Sequence, residues 1–188
     1  MKVLIVDNYD SFTFNLVQLI EQFGKCQWKV VKNDECSLDE VADYDKVLFT
    51  PGAGLPSEAP IMYEILQRFE GEKSILGVCL GHQAIAEYYG ATLFNFERVI
   101  HGIVKPMEIL QQGDYLFRGL PNVVEVGLYH SWAVAAEGFP ECLEVTAKST
   151  DGVVMALSHR TLDVKGVQFH PESIMTKFGK EMVWNWLG

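Results

Sequence analysis

The sequence predicts an α/β fold with a central, mostly parallel sheet and additional antiparallel strands in its second half. Two patterns carry that reading. Up to Gly90, short apolar runs alternate with segments of helical periodicity, a rhythm that calls for parallel pairing and right-handed crossovers. Beyond Gly90, strand-like runs follow one another across turns containing Gly, Asp or Pro.

The elements follow in order. Lys2–Val6 is a short apolar run suited to a buried strand. Phe12, Leu16, Leu19, Ile20 and Phe23 then recur at helical spacing until Gly24 stops them. Gln27–Lys32 reads as a second strand. Ser37 and Glu40 have the spacing of a capping box, which starts a short helix. Val47–Phe49 is a third strand and runs into the loop TPGAGLPSEAP. A helix carrying Ile61, Ile65, Leu66 and Phe69 follows, then the strand Ser74–Val78 and a helix from Leu80 to Tyr89. In the second half Thr92–Asn95, Ile103–Met107, Val123–Gly127, Leu143–Lys148, Val153–Ser158 and Val164–Phe169 read as strands. The chain closes on a helix over Met175–Leu187, whose Phe178, Trp184 and Trp186 are assigned to the core. No linker, repeat or low-complexity segment interrupts it, so residues 1–188 are read as one domain.

Composition removes several classes of function. The chain has 188 residues, 48% hydrophobic and 12% aromatic, enough for a sizeable core and unlike a disordered segment. Fifteen Lys and Arg against 25 Asp and Glu give a formal charge of −10. That balance argues against a nucleic-acid or anionic-membrane surface, which needs clustered basic side chains. No apolar run approaches the ~20 residues of a membrane span. The opening carries Asp7 and Asp10 where a secretory leader needs an unbroken apolar stretch. Four cysteines without a CxxC pair form neither a disulfide framework nor a zinc site, so a reducing, cytoplasmic setting is expected. No metal cluster is visible, and no cofactor is expected.

In open α/β sheets ligands collect beyond the carboxyl ends of the parallel strands. Four segments fall there: Asp7–Ser11, Pro51–Pro56, Cys79–Gln83 and His170–Glu172. The sharpest is Gly77-Val78-Cys79-Leu80-Gly81, a GxCxG between an apolar strand and a helix, the cysteine form of a nucleophile elbow. The glycines permit a tight turn with chain passing close by. The turn lifts the sulfur to a helix N-terminus, where the dipole favours a thiolate. The Leu80 N–H points towards an oxyanion formed on a carbonyl attacked by Cys79. Cys26, Cys36 and Cys142 lack this setting and are read as core cysteines.

A thiol nucleophile needs a base, and the base needs an orienting group. His170 and Glu172 stand at the end of a strand in Gln168-Phe169-His170-Pro171-Glu172. In extended chain they point to the same side, so Glu172 can hold the His170 ring. In Thr50–Pro56, Gly52 and Gly54 can present backbone N–H groups to a ligand; Ser57 at the third glycine position argues against a dinucleotide loop. His82 follows the elbow at a helix start and is read as a packing or capping residue, whereas His130 and His159 have no complementary pair at metal spacing and are read as satisfied or exposed.

The sequence resembles the class I (triad) glutamine amidotransferases along its whole length. The elbow stands as GVCLGHQAIA, the other half of the triad as GVQFHPES, and the loop as PGAG where the family usually has PGPG. The opening DNYDSFTFNL, with His101-Gly102, Phe117–Leu120 and Tyr129–Ser131, resembles the glutaminase component of anthranilate synthase and of aminodeoxychorismate synthase. The resemblance implies a three-layer, flavodoxin-like fold and a triad of Cys79, His170 and Glu172. It implies binding of L-glutamine by Gly52, Ala53 and Gly54, the Gln83 side chain and the backbone around Ser131 and Trp132. The oxyanion donors would be the Leu80 and Gly54 N–H groups. It also implies a chorismate-using synthase large subunit as partner, with His101 and residues 7–15 near the contact. Three positions depart from the pattern: Ala53 for proline, Trp132 for leucine, and Ile103 where lysine often follows HG.

Three functions compete on this reading: a glutaminase subunit that feeds ammonia to a synthase, a free-standing thiol hydrolase of γ-glutamyl or peptide bonds, and a non-catalytic binding module. An intact triad disfavours the last, and the absence of a recognition insert after Glu172 disfavours the second. No acceptor domain fits in 188 residues, so the first is expected, in tryptophan or folate synthesis.

Overall fold

In a computed structural model describing residues 1–188, the opening apolar run forms strand β1 (Lys2–Asn8), flanked by two strands parallel to it, β2 (Gln27–Lys32) and β3 (Lys46–Gly52). Strand β4 (Ser74–Val78) continues the parallel set beside β3. Strand β9 (Val164–Val167), though last in sequence, lies parallel against β4. The antiparallel half is β5 (Leu93–Ile109), β6 (Val123–Val134), β7 (Leu143–Ser149) and β8 (Val154–His159). All nine strands make one sheet in the order β2-β1-β3-β4-β9-β8-β7-β5-β6.

The continuous apolar runs are explained by burial on both faces of the sheet. Alternate residues of β1 enter different cores. Val3 and Ile5 pack with Leu16, Ile20 and Trp186, from helices α1 (Thr13–Phe23) and α5 (Gly179–Leu187). Leu4 and Val6 pack with Val41, Leu66 and Ile85, from α2 (Leu38–Ala42), α3 (Ile61–Phe69) and α4 (Leu80–Tyr88). Three layers result. The local signals work as read: Gly24 ends α1 at φ 71°, and the Ser37 side chain accepts the Glu40 N–H at the start of α2. No helix is long and apolar enough to cross a membrane.

Several boundaries differ from expectation. The runs read at Thr92–Asn95 and Ile103–Met107 fall, except for Thr92, in one strand, β5, whose register shifts between Asn95 and Ile100 and again between His101 and Ile103. Irregular pairing breaks the alternation that periodicity relies on. Gly127 reads as a strand end but sits inside β6. A Cβ there would lie 2.9 Å from the Met175 Cβ, so the glycine marks a close approach and no turn. The last helix begins at Gly179, four residues later than Met175. Thr176 is engaged instead on the preceding loop, its N–H on the Ser173 carbonyl and its hydroxyl on the His170 carbonyl at 2.6 Å. Strand β9 stops at Val167, so His170 and Glu172 lie in a turn. Cys26 and Cys36 are half-buried and Cys142 is exposed, because all three sit in connections between elements. Phe178 and Trp184 are half-buried against the core; Trp186 is inside it.

Candidate active site

The elbow has the backbone strain its sequence requires. Cys79 caps α4 at φ 52°, ψ −97°, a conformation costly for a residue with a Cβ. Both glycines are sterically obligatory. A Cβ on Gly77 would stand 2.3 Å from the Gly81 carbonyl carbon, and one on Gly81 would stand 2.6 Å from the Phe49 Cβ. The chain can cross from β4 into α4 here only because both side chains are absent. Cys79 is anchored by its N–H on the Val167 carbonyl at 2.8 Å, which ties the elbow to β9.

That pairing brings the other half of the site alongside. Three residues beyond β9, His170 donates from Nδ1 to Glu172 Oε1 at 2.6 Å, and the Glu172 side chain is fully buried. The turn is fixed at the backbone too: His170 N–H reaches the Gly127 carbonyl at 3.1 Å, and the Thr176 hydroxyl accepts the Gly127 N–H at 3.0 Å. The Tyr129 ring lies edge-on to the imidazole with centroids 4.9 Å apart. Nε2 of His170 is buried without a hydrogen-bond partner, and Cys79 adjoins that ring. Burial disfavours the charged ring, but the Cys79 sulfur and the Glu172 carboxylate outweigh it and push the pKa up to about 10. An imidazolium held beside a sulfur is the arrangement that stabilises a thiolate.

Cys79 opens onto a cavity of about 270 Å³. Gly52, Ala53 and Gly54 form one wall, Cys79 and Gln83 the floor, and Tyr129, His130, Ser131, Trp132 and Val99 the remainder. The Gly54 and Leu80 N–H groups make no internal hydrogen bond. Gly54 holds its place at φ +78°, and Gly52 is wedged with its missing Cβ 2.7 Å from Asn8 and Leu80 side-chain atoms. The loop is further fastened at its root, where the Asn8 N–H and side-chain amide bond Thr50 at 2.8 and 2.9 Å. Gln83 donates to the Trp132 carbonyl at 2.8 Å and to Gln168 at 3.2 Å. Its amide N–H groups therefore fix the cavity wall, leaving its oxygen free to accept from an amine.

The family model for class-I glutamine amidotransferases matches residues 4–187. The chain belongs to the class-I glutamine amidotransferase family. Among curated relatives of this amidotransferase, the aminodeoxychorismate/anthranilate synthase component 2 of Bacillus subtilis is 44% identical over 187 residues, covering 98% of this chain and 95% of that one. The anthranilate synthase component 2 of Pseudomonas aeruginosa is 43% identical over 192 residues, covering 98% and 94%. A solved glutamine amidotransferase from Thermotoga maritima superposes with a TM-score of 0.79, covering 100% of this chain and 96% of that one at 16% identity, a likeness of fold.

All ten residues expected at the amidotransferase site gather at this end of the sheet. Seven of them line the Cys79 cavity: Gly52, Ala53, Gly54, Cys79, Gln83, Ser131 and Trp132. His170 and Glu172 are not in its lining but are hydrogen-bonded to each other, with His170 adjoining Cys79, and the Leu80 side chain faces a separate cavity with Asn8 and Tyr9. The remaining histidines take structural positions. His82 is fully buried over Gly166, and burial pushes its pKa down to about 3. His130 lines the cavity with Nδ1 on the Trp132 carbonyl, and burial lowers it to about 4. His159 Nδ1 accepts the Thr161 and Leu162 N–H groups and closes a turn. His101 is exposed, its ring perpendicular to that of Tyr129 with centroids 5.2 Å apart. Sequence reasoning gave no role to Tyr129, Gln168, Thr176 or Val99. Tyr129 sat inside the quoted YHS segment, but nothing in the pattern says that it faces the triad.

Proposed function

We propose that this chain is a glutaminase subunit, a single domain over residues 1–188, which hydrolyses L-glutamine through a thioester on Cys79 and hands the ammonia to a chorismate-using synthase large subunit. One observation carries the chemistry: a strained cysteine beside an imidazole locked by a buried carboxylate, opening onto a cavity with two unpaired backbone N–H donors. The Cys79 thiolate attacks the side-chain amide carbon of glutamine, and the carbonyl electron pair moves to oxygen. Gly54 and Leu80 N–H groups stabilise that oxyanion, an interaction commonly worth ~10²–10³ in rate per donor. The intermediate collapses as His170 gives its proton to the departing ammonia. His170, now neutral, takes a proton from water, whose oxygen attacks the thioester carbonyl; glutamate leaves and the thiolate returns.

The named relatives support a synthase partner, as do apolar side chains exposed near the strand ends that carry the site: Tyr9, Phe14, Val99, Ile103 and Ile174, the last 99% exposed. The formal charge of −10 disfavours a nucleic-acid partner, and four free cysteines favour a reducing, cytoplasmic setting. The test is product formation by the chain combined with a chorismate-using large subunit, with glutamine or ammonium chloride as nitrogen source. The partner should raise the slow glutaminase rate of the isolated chain. Cys79→Ala should abolish glutamine-dependent synthesis while sparing synthesis from ammonium. A glutaminase rate indifferent to the partner would favour the free-standing hydrolase, and glutamine use by Cys79→Ala would remove Cys79 as nucleophile.

A further inference from the structure

The oxyanion loop leaves one question: what fixes Gly54. Its neighbour Ala53 lacks the φ restraint of a proline, and both residues are exposed. Gly52 is wedged between Asn8 and Leu80, two residues before Gly54. At Gly54 itself the three atoms nearest to where a Cβ would stand all belong to Glu58. An ideal Cβ on Gly54 would fall 2.5, 2.8 and 2.9 Å from the Glu58 Oε1, Cδ and Oε2 atoms, so the carboxyl group occupies the space a side chain would take. Glu58 Oε1 also accepts the Leu55 N–H at 3.0 Å, while the Glu58 N–H returns to the Leu55 carbonyl at 3.0 Å. The peptide that follows Gly54 is thus held at its nitrogen, and the face of Gly54 opposite the cavity is covered. Glu58 lines the cavity behind the loop, with Asn8, Tyr9 and Leu80, and is absent from the Cys79 cavity.

We propose that Glu58 is a positioning residue for oxyanion stabilisation: its carboxylate locks the Gly54–Leu55 peptide so that the Gly54 N–H stays presented to the carbonyl attacked by Cys79. The inference rests on the glutaminase reading above. Glu58 touches neither substrate nor triad. Its work is to accept one hydrogen bond and fill one space, which a neutral amide oxygen also does, through a weaker bond.

The variants Glu58→Ala and Glu58→Gln of the full chain, with and without the synthase subunit, test this. Three readouts are needed: kcat and KM for glutamine hydrolysis, and the rate of Cys79 alkylation by iodoacetamide, a displacement at a saturated carbon that forms no oxyanion. Glu58→Ala should lose ~10-fold or more in kcat, part of the ~10²–10³ that a whole oxyanion donor supplies. Its KM should change far less, and its alkylation rate should match the parent. Glu58→Gln should restore kcat to within about threefold, since the acceptor remains. The proposal is overturned if Glu58→Ala keeps its kcat, if Glu58→Gln fails as badly as Glu58→Ala, or if alkylation falls in step with kcat, which would mark a general collapse of the site. A parent chain that alkylates at Cys79 yet never hydrolyses glutamine would instead refute the glutaminase reading.

Discussion

His170 and Glu172 do different work within one hydrogen bond. The imidazole moves the proton, a contribution of ~10²–10⁴ in typical enzymes, whereas the carboxylate orients the ring and favours its charged form. Glu172→Gln keeps an oxygen that can accept from Nδ1, so it should lower glutamine turnover less than His170→Ala. The charge matters separately. Cys79 and Glu172 together hold the ring pKa at about 10 against the cost of burial. Removing the Glu172 charge weakens that support, so the alkaline limb of the pH–rate profile should move to lower pH in Glu172→Gln. Glutamate formation measured across pH for both variants decides it; equal losses, or an unmoved alkaline limb, would break this division of roles. Cys79, His170 and Glu172 were all legible as a candidate constellation, because cysteine, histidine and carboxylate are chemically distinctive at strand ends. Tyr129 and Thr176 were not, because a ring against an imidazole and a hydroxyl on a carbonyl leave no mark in local sequence.

At the scale of elements, the site depends on how tightly α4 is drawn against the sheet. Gly81 lets the first turn of the helix rest on the middle of β3, with the Phe49 carbonyl oxygen 2.7 Å from where a Cβ would be. Backbone and a buried phenylalanine cannot yield as a flexible side-chain tip can. Gly81→Ala should therefore destabilise the fold by about 1–3 kcal/mol, the usual range for overpacking, and displace Cys79 enough to depress glutaminase activity in the molecules still folded. Gly113→Ala is the matched control, because nothing lies within 4 Å of its Cβ position. Chemical denaturation of both variants checks the contrast, and a Gly81→Ala protein as stable and active as its parent would contradict it. Glycine also shows where sequence reading succeeds and fails. In GxCxG a known geometry gives each glycine its meaning. Gly127 carries no such context and was read as a strand end, although it lies in mid-strand under Ser173 and Met175.

Across the whole molecule, the decisive step is the insertion of β9 between β4 and β8, which sets the His170 turn beside the Cys79 elbow. Strand periodicity predicts that β9 exists but not which neighbour it takes; only the family resemblance paired the two halves of the site. The same packing buries three histidines with opposing pH consequences. His170 is raised to about 10 from an ordinary 6.5, so the folded state binds the extra proton; the stability it adds is complete below about pH 6.5 and is lost as pH rises through 10. His82 and His130 are lowered to about 3 and about 4, so there the unfolded chain binds the extra protons. Their stability is present above about pH 6.5 and drains away as pH falls through those lower values. Each can cost at most about 1.4 kcal/mol per pH unit across that window, a large share of the ~5–15 kcal/mol that holds a domain together. Stability set by these three groups should peak near pH ~6.5 and fall towards acid with a slope of roughly two protons. His82 gives the cleaner test, since it is fully buried, neither ring nitrogen has a hydrogen-bond partner, and it lies away from the Cys79 cavity. His82→Leu should keep the fold and lose one proton from the acid slope. Unfolding free energies from urea titrations at pH 7, 5.5 and 4.5 measure it directly: the variant's decline should be about half the parent's, and parallel declines would show that acid sensitivity arises elsewhere in the fold.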